Sequence, residues 1–410
     1  MFEWSDEHEM VRDAVRQFVD AEIRPHRDEL EFGDLPPYDL LRKLFQTFGM
    51  DSLAREQFKK RIERERLKEA DEEAAGEIDD MAKGSMGGAM YMIPVIELCR
   101  CSPGMVTALG VSMGLTSAAI LSKGTIDQKE RWALDVLTLD KIGAWAITEP
   151  NSGSDAFGSM QATARRDGDE YILNGSKTFI TNGPYADTTV FICKLDEGNP
   201  PESRKVLNFV LDKGMEGFEQ SKPLRKMGMH SSPTGQLFVS DVRVGRDRLL
   251  GETEDPPGGG REGAKTTFTQ ERTAVAAMAY GIVDRCLELC VDYAKERVQF
   301  GRPIGEYQLI QLKLAKMEVA KLNLENLVFR QIEMSGAGTS MGLAEASACK
   351  LYAAQAAMDV TLEAVQLFGG NGYMAEYEVE QLCRDSKVLQ IYAGTDEIQV
   401  SQIARSLLSL

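Results

Sequence analysis

Apolar positions early in the chain recur at helix spacing: Val11, Val15, Phe18 and Val19, then Leu40, Leu41, Leu44 and Phe45. Pro25 is expected to end the first helix, since it lacks an N–H and its ring crowds the preceding turn. Over 54–80 the apolar stripe gives way to dense mixed charge, including Lys59, Lys60, Arg61, Glu63, Arg64, Glu65 and Arg66. That pattern suits a solvated helix with i,i+4 ion pairs. Residues 81–92, rich in Gly and Met, read as a loop, and 93–121 returns to apolar helix.

Between about 142 and 250 the period shortens. Asp167-Gly168-Asp169 and Asn174-Gly175 are turn sequences that bracket a short strand over 170–173. Residues 189–194, 206–211 and 235–239 are further β-rich runs, and together they predict a small antiparallel barrel or sandwich. Asp255-Pro256-Pro257-Gly258-Gly259-Gly260 then breaks the pattern. Beyond it, helical periodicity covers 268–298, 305–333, 342–368 and 376–408, which predicts a bundle of antiparallel helices. The expected domains are 1–141, helical with a charged insertion at 51–92; 142–254, β; and 264–410, a four-helix bundle. The fold class is mainly α with a central β-domain, in the order α, β-barrel, α.

Composition narrows the function. The chain has 410 residues, 43% of them hydrophobic, and a formal charge of −17. So acidic a balance argues against nucleic acid as a partner and against an anionic membrane surface. His8, His26 and His230 lie far apart and the seven Cys contain no CxxC pair, so no metal site is expected. Those Cys suit buried, reduced thiols. The N-terminus, Met-Phe-Glu-Trp-Ser-Asp, lacks a basic region followed by an apolar stretch, and no run approaches the ~18 apolar residues of a membrane span. A cytoplasmic protein without membrane insertion is expected.

Three stretches carry candidate chemistry. Trp145 to Asp155 reads Trp-Ala-Ile-Thr-Glu-Pro-Asn-Ser-Gly-Ser-Asp, in which Gly153 and Ser154 let backbone N–H groups approach a planar ligand. Gln270-Glu271-Arg272 precedes a long amphipathic run; a lone Glu there would ordinarily be a dipole-stabilising surface charge. Arg384-Asp385-x-Lys387-x-x-x-Ile391-Tyr392-Ala393-Gly394-Thr395 leads into Glu397-Ile398. No Rossmann G-x-G-x-x-G follows a strand.

Together these stretches resemble the acyl-CoA dehydrogenases, flavoenzymes that desaturate an acyl thioester next to its carbonyl. The resemblance covers about 5–50 and 93–408. It implies FAD as cofactor, held at Trp145, Ile147, Thr148, Gly153, Ser154, Phe179, Thr181, Thr395 and Glu397. Ser154, Thr269, Arg272, Ala393 and Gly394 are implied to meet the acyl-CoA substrate. In most of the family the base stands at the position of Ala393; in the isovaleryl-CoA and long-chain branches it stands at that of Glu271. The combination of Ala393 with Glu271 therefore implies Glu271 as catalytic base. Phe179 takes the place of a usual Trp, keeping the π face without the indole N–H.

By the same resemblance, Arg297, Gln308, Gln366, Gly369 and Gly370 bind the pyrophosphate and adenine end of a flavin across a subunit interface. A homotetramer and electron transfer to an electron-transferring flavoprotein follow from it, in fatty or branched acyl-CoA metabolism. His230 replaces the Arg of a family Gly-Met-Arg motif and has no assigned role. The 51–92 stretch replaces a shorter family segment, so it is expected either to cover the acyl end of the pocket, lined by Met81, Met86, Met90 and Met92, or to be a solvated helix remote from it. Two other functions fit part of the pattern: a non-catalytic FAD- and acyl-CoA-binding subunit of a mixed assembly, and an acyl-CoA oxidase, whose members are generally longer.

Overall fold

Ser5 starts the first helix, its hydroxyl accepting the His8 N–H at 3.3 Å, while Asp6, Glu7 and Glu9 complement the positive end of the dipole. The computed structural model describes residues 3–70, 87–255 and 259–409; the side chains of 69, 70, 87, 259–268 and 270 lie outside the described set. Helix α1 (Asp6–Phe18) does not stop at Pro25. It passes into a π turn (Val19–Ile23) and then a 3-10 turn (Arg24–His26), which accommodates the missing proline donor in a tighter coil. Helices α2 (Arg27–Phe32) and α3 (Tyr38–Thr47) follow, α3 burying Leu41, Leu44 and Phe45.

Helix α4 (Met50–Ala70) carries the mixed charge, with i,i+4 pairs Lys60–Glu56 at 2.5 Å and Arg61–Glu65 at 2.9 Å. It is not free of the fold. Phe58 and Ile62 are buried in a cluster with Ile126 and Trp132, and Lys129–Glu65 and Arg66–Glu130 ion pairs tie its surface to the segment after residue 125. The described part of the insertion is therefore a docked helix with one charged face. Met81 and Met86 lie outside the described residues. Met90 and Met92 belong to helix α5 (Gly87–Cys99) instead of a loop. Local Gly content is overridden there by packing of α5 on the bundle.

Helix α6 (Pro103–Gly110), a π turn (Val111–Ser117) and α7 (Ala118–Lys123) form one continuous run. Contrary to the sequence expectation, this run, Pro103–Lys123, is long and apolar enough to cross a membrane, with mean hydropathy 1.6. The run packs into the protein instead: 61% of its most apolar 18-residue window is buried, and Ser112 bonds the start of the central sheet. Short helices α8 (Ile126–Gln128) and α9 (Leu134–Leu137) complete the N-terminal part.

The central sheet has seven strands: β1 (Gly143–Ala146), β2 (Thr163–Asp167), β3 (Glu170–Thr181), β4 (Thr188–Leu195), β5 (Val206–Asp212), β6 (Phe218–Gln220) and β7 (Thr234–Gly245). It is mixed and not purely antiparallel: β1 and β2 run parallel to β4, and β5 pairs antiparallel with it. Asn174-Gly175 is not a turn. β3 continues through it by a bulge, and Gly175, at φ +149°, leaves room where a Cβ would lie 2.8 Å from Ala162 Cα. A second irregularity, between Lys177 and Ile180, sets Phe179 at φ +57°.

The C-terminal part contains α10 (Gly259–Glu296), the hairpin β8 (Val298–Gln299) and β9 (Arg302–Pro303), α11 (Gln308–Gly336), α12 (Leu343–Phe368), α13 (Glu378–Lys387) and α14 (Asp396–Leu408). Helix α10 begins inside the expected breaker cluster, so Glu271 sits well within a helix and not at its start. The expected helix over 376–408 is broken after Lys387 by a 3-10 turn and the loop that holds Ala393. One hydrophobic core runs from α1 and α5 into α10, α11 and α12, so the N-terminal and C-terminal helices share a single packed interior.

Candidate active site

The first group of candidate residues lies at one end of the sheet. β1 delivers Trp145, half-buried, and leads to Ile147 and Thr148; the bulge on β3 delivers Phe179 with 69% of its surface exposed, beside Thr181. A buried ion pair locks the two segments. Lys177, wholly inaccessible, donates to Glu149 Oε1 at 2.8 Å and to the Ile147 carbonyl at 3.0 Å. Glu149 also accepts the Gln161 N–H at 2.6 Å and the Ala162 N–H at 2.9 Å. The Thr178 N–H donates to the Thr148 carbonyl at 2.9 Å. Burial pushes the Lys177 ammonium down from its ordinary range, and Glu149 opposes that shift. Gly153 and Ser154 are held on the surface of a tight loop closed by two Glu149–Ser152 backbone bonds of 3.1 Å. Exposed Phe179, half-buried Trp145 and the exposed Gly153 and Ser154 give these segments an aromatic ring and uncrowded backbone at the surface.

The second group joins α10 to the break before α14. Glu271 is half-buried, with enough protein around its carboxyl that desolvation pushes its pKa up to about 7, against the opposing charges of Arg272 and Lys350. Arg272 is buried and tethers three elements: it donates to Ser347 Oγ of α12 at 2.9 Å and makes a long 3.5 Å contact to the Ala393 carbonyl. Ala393 and Gly394 both adopt left-handed backbone, at φ +53° and +87°. Thr395 caps α14, its hydroxyl accepting the Ile398 N–H at 3.4 Å, and Glu397 lies exposed in the first turn. Among the described residues no protein acceptor pairs with the Ala393 N–H. Thr269 is half-buried on α10, nearly a turn before Arg272.

A carboxylate titrating near neutrality can take a proton at physiological pH, and an unpaired N–H on a rigid turn can polarise a carbonyl. The structure thus brings Arg272 of α10 against the Ala393–Gly394 turn, with Glu271 adjacent to Arg272 on the same helix and Thr395 and Glu397 following the turn into α14.

The third group does not join them. Arg297 follows α10, Gln308 opens α11, and Gln366, Gly369 and Gly370 close α12; all five are exposed at one end of the bundle. Tyr293 stacks on Phe368 at 4.1 Å and holds those helix ends side by side. About 25 residues of α10 separate Glu271 from this end, on the order of 38 Å at 1.5 Å per residue. That exceeds the reach of one dinucleotide.

Sequence reasoning missed four side chains. Lys350, on α12, is wholly buried and faces Asp396 at 3.4 Å, placing a second cation near Glu271. Gln399, also wholly buried, donates to the carbonyls of Ala393 at 3.0 Å and Gly394 at 2.7 Å. Lys177 and Glu149 form the lock described above. The available signal was a charge stranded in an apolar run, as in Ala346-Ser347-Ala348-Cys349-Lys350-Leu351. His230, left unassigned, bridges two domains: its ring nitrogens lie 2.6 Å from the Glu31 carbonyl and 2.8 Å from that of Lys226. Among the described residues no three His, Cys, Asp or Glu side chains form a metal-holding group.

Comparison with known proteins places the chain in one family. Residues 5–54, 144–242 and 258–408 match, in turn, the N-terminal, middle and C-terminal domains of acyl-CoA dehydrogenase. The chain is 36% identical over 408 residues to an acyl-CoA dehydrogenase of Bacillus subtilis, covering 98% of each. It is 32% identical to the mitochondrial isovaleryl-CoA dehydrogenase of Oryza sativa, over 98% of this chain and 92% of that one. Its fold superposes on butyryl-CoA dehydrogenase from Megasphaera elsdenii with a TM-score of 0.83 at 32% identity, covering all of both chains. The chain belongs to the acyl-CoA dehydrogenase family.

Proposed function

We propose that this protein catalyses FAD-dependent α,β-dehydrogenation of an acyl-CoA thioester to the trans-2-enoyl-CoA, with Glu271 as the base. The observation that carries this reading is a carboxyl pushed up to about 7, close enough to Tyr392 to act on its hydroxyl, next to a left-handed turn whose Ala393 N–H has no protein acceptor among the described residues. Ala393 has no side-chain carboxylate, so Glu271 supplies the base from the facing helix. Glu271 takes the α-proton, and the Ala393 N–H polarises the thioester carbonyl so that this proton becomes acidic. Arg272 keeps α10, α12 and the turn in register through Ser347 and the Ala393 carbonyl.

The exposed Phe179 and the Gly153-Ser154 loop fit an isoalloxazine ring: they present a π face and unhindered backbone, locked from behind by Lys177 and Glu149. Trp145, Ile147, Thr148 and Thr181 complete that cradle, with Thr395 and Glu397 on the side of α14. When bound there, FAD supplies the hydride acceptor for the β-carbon. The distance along α10 supports a shared site, in which Arg297, Gln308, Gln366, Gly369 and Gly370 serve the flavin of a neighbouring protomer. Exposed apolar side chains on α11 and α12, among them Leu309, Leu312, Val319 and Leu362, support a homotetramer. All seven cysteines are free and six are buried, in keeping with a cytoplasmic enzyme. Electrons leave to an electron-transferring flavoprotein, as the family resemblance implies.

The test is an anaerobic screen of straight, branched and aromatic acyl-CoAs against the FAD-loaded enzyme, watching flavin bleaching, with Glu271→Gln alongside. Bleaching by wild type and a loss of about 10²–10⁴ in the variant is expected. Bleaching at the wild-type rate in Glu271→Gln would place the base elsewhere. A wild type that binds acyl-CoAs and never bleaches would make the protein a binding subunit, and rapid reoxidation by oxygen would make it an oxidase.

A further inference from the structure

We propose that Gln399 is a positioning residue for the reaction: its buried carboxamide holds the Ala393–Gly394 turn in the left-handed form that aims the Ala393 N–H at the thioester carbonyl. The inference rests on the reading of that N–H as the polarising donor and goes beyond it, because it says what keeps the donor in place.

Two successive left-handed residues, at φ +53° and +87°, turn the carbonyls of Ala393 and Gly394 inward, away from any helix or strand partner. Such carbonyls need donors in a buried site. One NH₂ group meets both, with Gln399 Nε2 at 3.0 Å from Ala393 O and 2.7 Å from Gly394 O. This also settles which way the amide points, since the flipped form would set its oxygen against two carbonyl oxygens. The chosen orientation leaves Gln399 Oε1 buried without a partner among the described residues.

The geometry around the amide is exclusive. Gln399 stands in the first turn of α14, its own N–H bonded to the Thr395 carbonyl at 3.0 Å, so its backbone does not shift to follow the turn. Gly394 suits the second turn position because φ +87° is a backbone that L side chains rarely adopt, and an added Cβ would lie 2.8 Å from Gln399 Nε2. Ala gains nothing from the left-handed region and is disfavoured there by its own Cβ. Without the carboxamide, Ala393 has a downhill route to right-handed backbone, and that rotation swings its N–H off line. Arg272 adds a longer contact, 3.5 Å, to the Ala393 carbonyl alone of the two.

The experiment uses FAD-loaded full-length protein carrying Gln399→Met, which keeps the volume and removes both donors, and the milder Gln399→Asn, which withdraws them by one methylene. Each is mixed with trans-2-butenoyl-CoA bearing ¹³C at its carbonyl, or with the labelled enoyl product of whichever acyl-CoA bleaches the flavin fastest. The carbonyl stretch of the bound ligand is then read by difference infrared spectroscopy, beside kcat and KM. In wild type the stretch should fall to lower frequency than in free ligand. In both variants that fall should shrink, with kcat down about 10- to 100-fold and KM little changed, while FAD content stays the same. A purely structural role would lower FAD content or stability without touching the carbonyl frequency of the protein that remains folded. A wild-type downshift that persists in full in either folded variant overturns the assignment of Gln399. No downshift in wild type removes the polarising role of Ala393, and this inference falls with it.

Discussion

Replacing Glu271 by Gln should stabilise the folded protein while it abolishes turnover, and the gain should depend on pH in a set way. Burial raises the Glu271 carboxyl from 4.5 to about 7 in the folded state. The folded state therefore holds this proton more tightly than the unfolded chain. As pH rises through 4.5 the unfolded chain releases the proton and the folded protein does not, so stability falls until about 7 and stays lower above it. A difference of about 2.5 units corresponds to roughly 3.4 kcal/mol at 1.36 kcal/mol per unit. Glu271 is only half-buried, and solvent screening reduces this to about 1–3 kcal/mol. Gln keeps the shape of the protonated acid and cannot ionise, so it removes that penalty. Urea unfolding of both proteins, with FAD saturating and protein concentration fixed, should show the variant more stable by this amount at pH 8 and equal near pH 4. A variant that is less stable at pH 8, or that gains as much at pH 4, would mean that desolvation does not raise the Glu271 carboxyl in the folded state.

Other expectations follow from the same site. In wild type, kcat/KM should rise with pH to a plateau, with its midpoint near 7, because only ionised Glu271 accepts the α-proton; a profile flat from pH 5.5 to 8.5 would contradict this. Lys177→Met leaves Glu149 buried and unpaired, so a loss of about 3–5 kcal/mol and of bound FAD is expected, whereas Lys177→Met with Glu149→Gln should recover stability more than FAD. In the Glu271→Gln background, Ala393→Glu should restore part of the flavin bleaching, since it places a carboxylate on the turn facing the same pocket. Arg297→Ala should lower FAD retention and leave the wild-type carbonyl shift of the bound enoyl-CoA intact in the FAD-loaded fraction, because that residue lies at the far end of α10 from Glu271.

Hydrophobic period alone was enough for the broad architecture of this protein. A 3.6-residue stripe identifies an amphipathic helix whatever surrounds it, and the C-terminal segments at 305–333 and 342–368 agree closely with α11 and α12. The shift to short β-rich runs likewise marks the central sheet, because side chains alternate along any strand with a buried face. Motif chemistry carried as far as naming Glu271 as the candidate base in place of Ala393, since a carboxylate and its absence are visible as residue types. What local sequence could not express was whatever depended on distant partners. Asn174-Gly175 has the composition of a hairpin turn, yet β3 runs through it, with Ala162, just before β2, packed against the glycine. Residues 103–123 have the hydropathy of a membrane span, and only the sheet and helices packed on them show that they are core. The break at Ala393 looks helical by composition; it is held open by Gln399 from the next helix, through hydrogen bonds that have no periodic signature. The acidity of Glu271 is likewise set by desolvation and by Lys350, brought in by folding, together with its neighbour Arg272. Local propensity and periodicity act within a few residues, whereas burial, charge pairing and backbone strain are properties of the packed whole, so the elements were legible in the sequence and the chemistry of the site only in the tertiary structure.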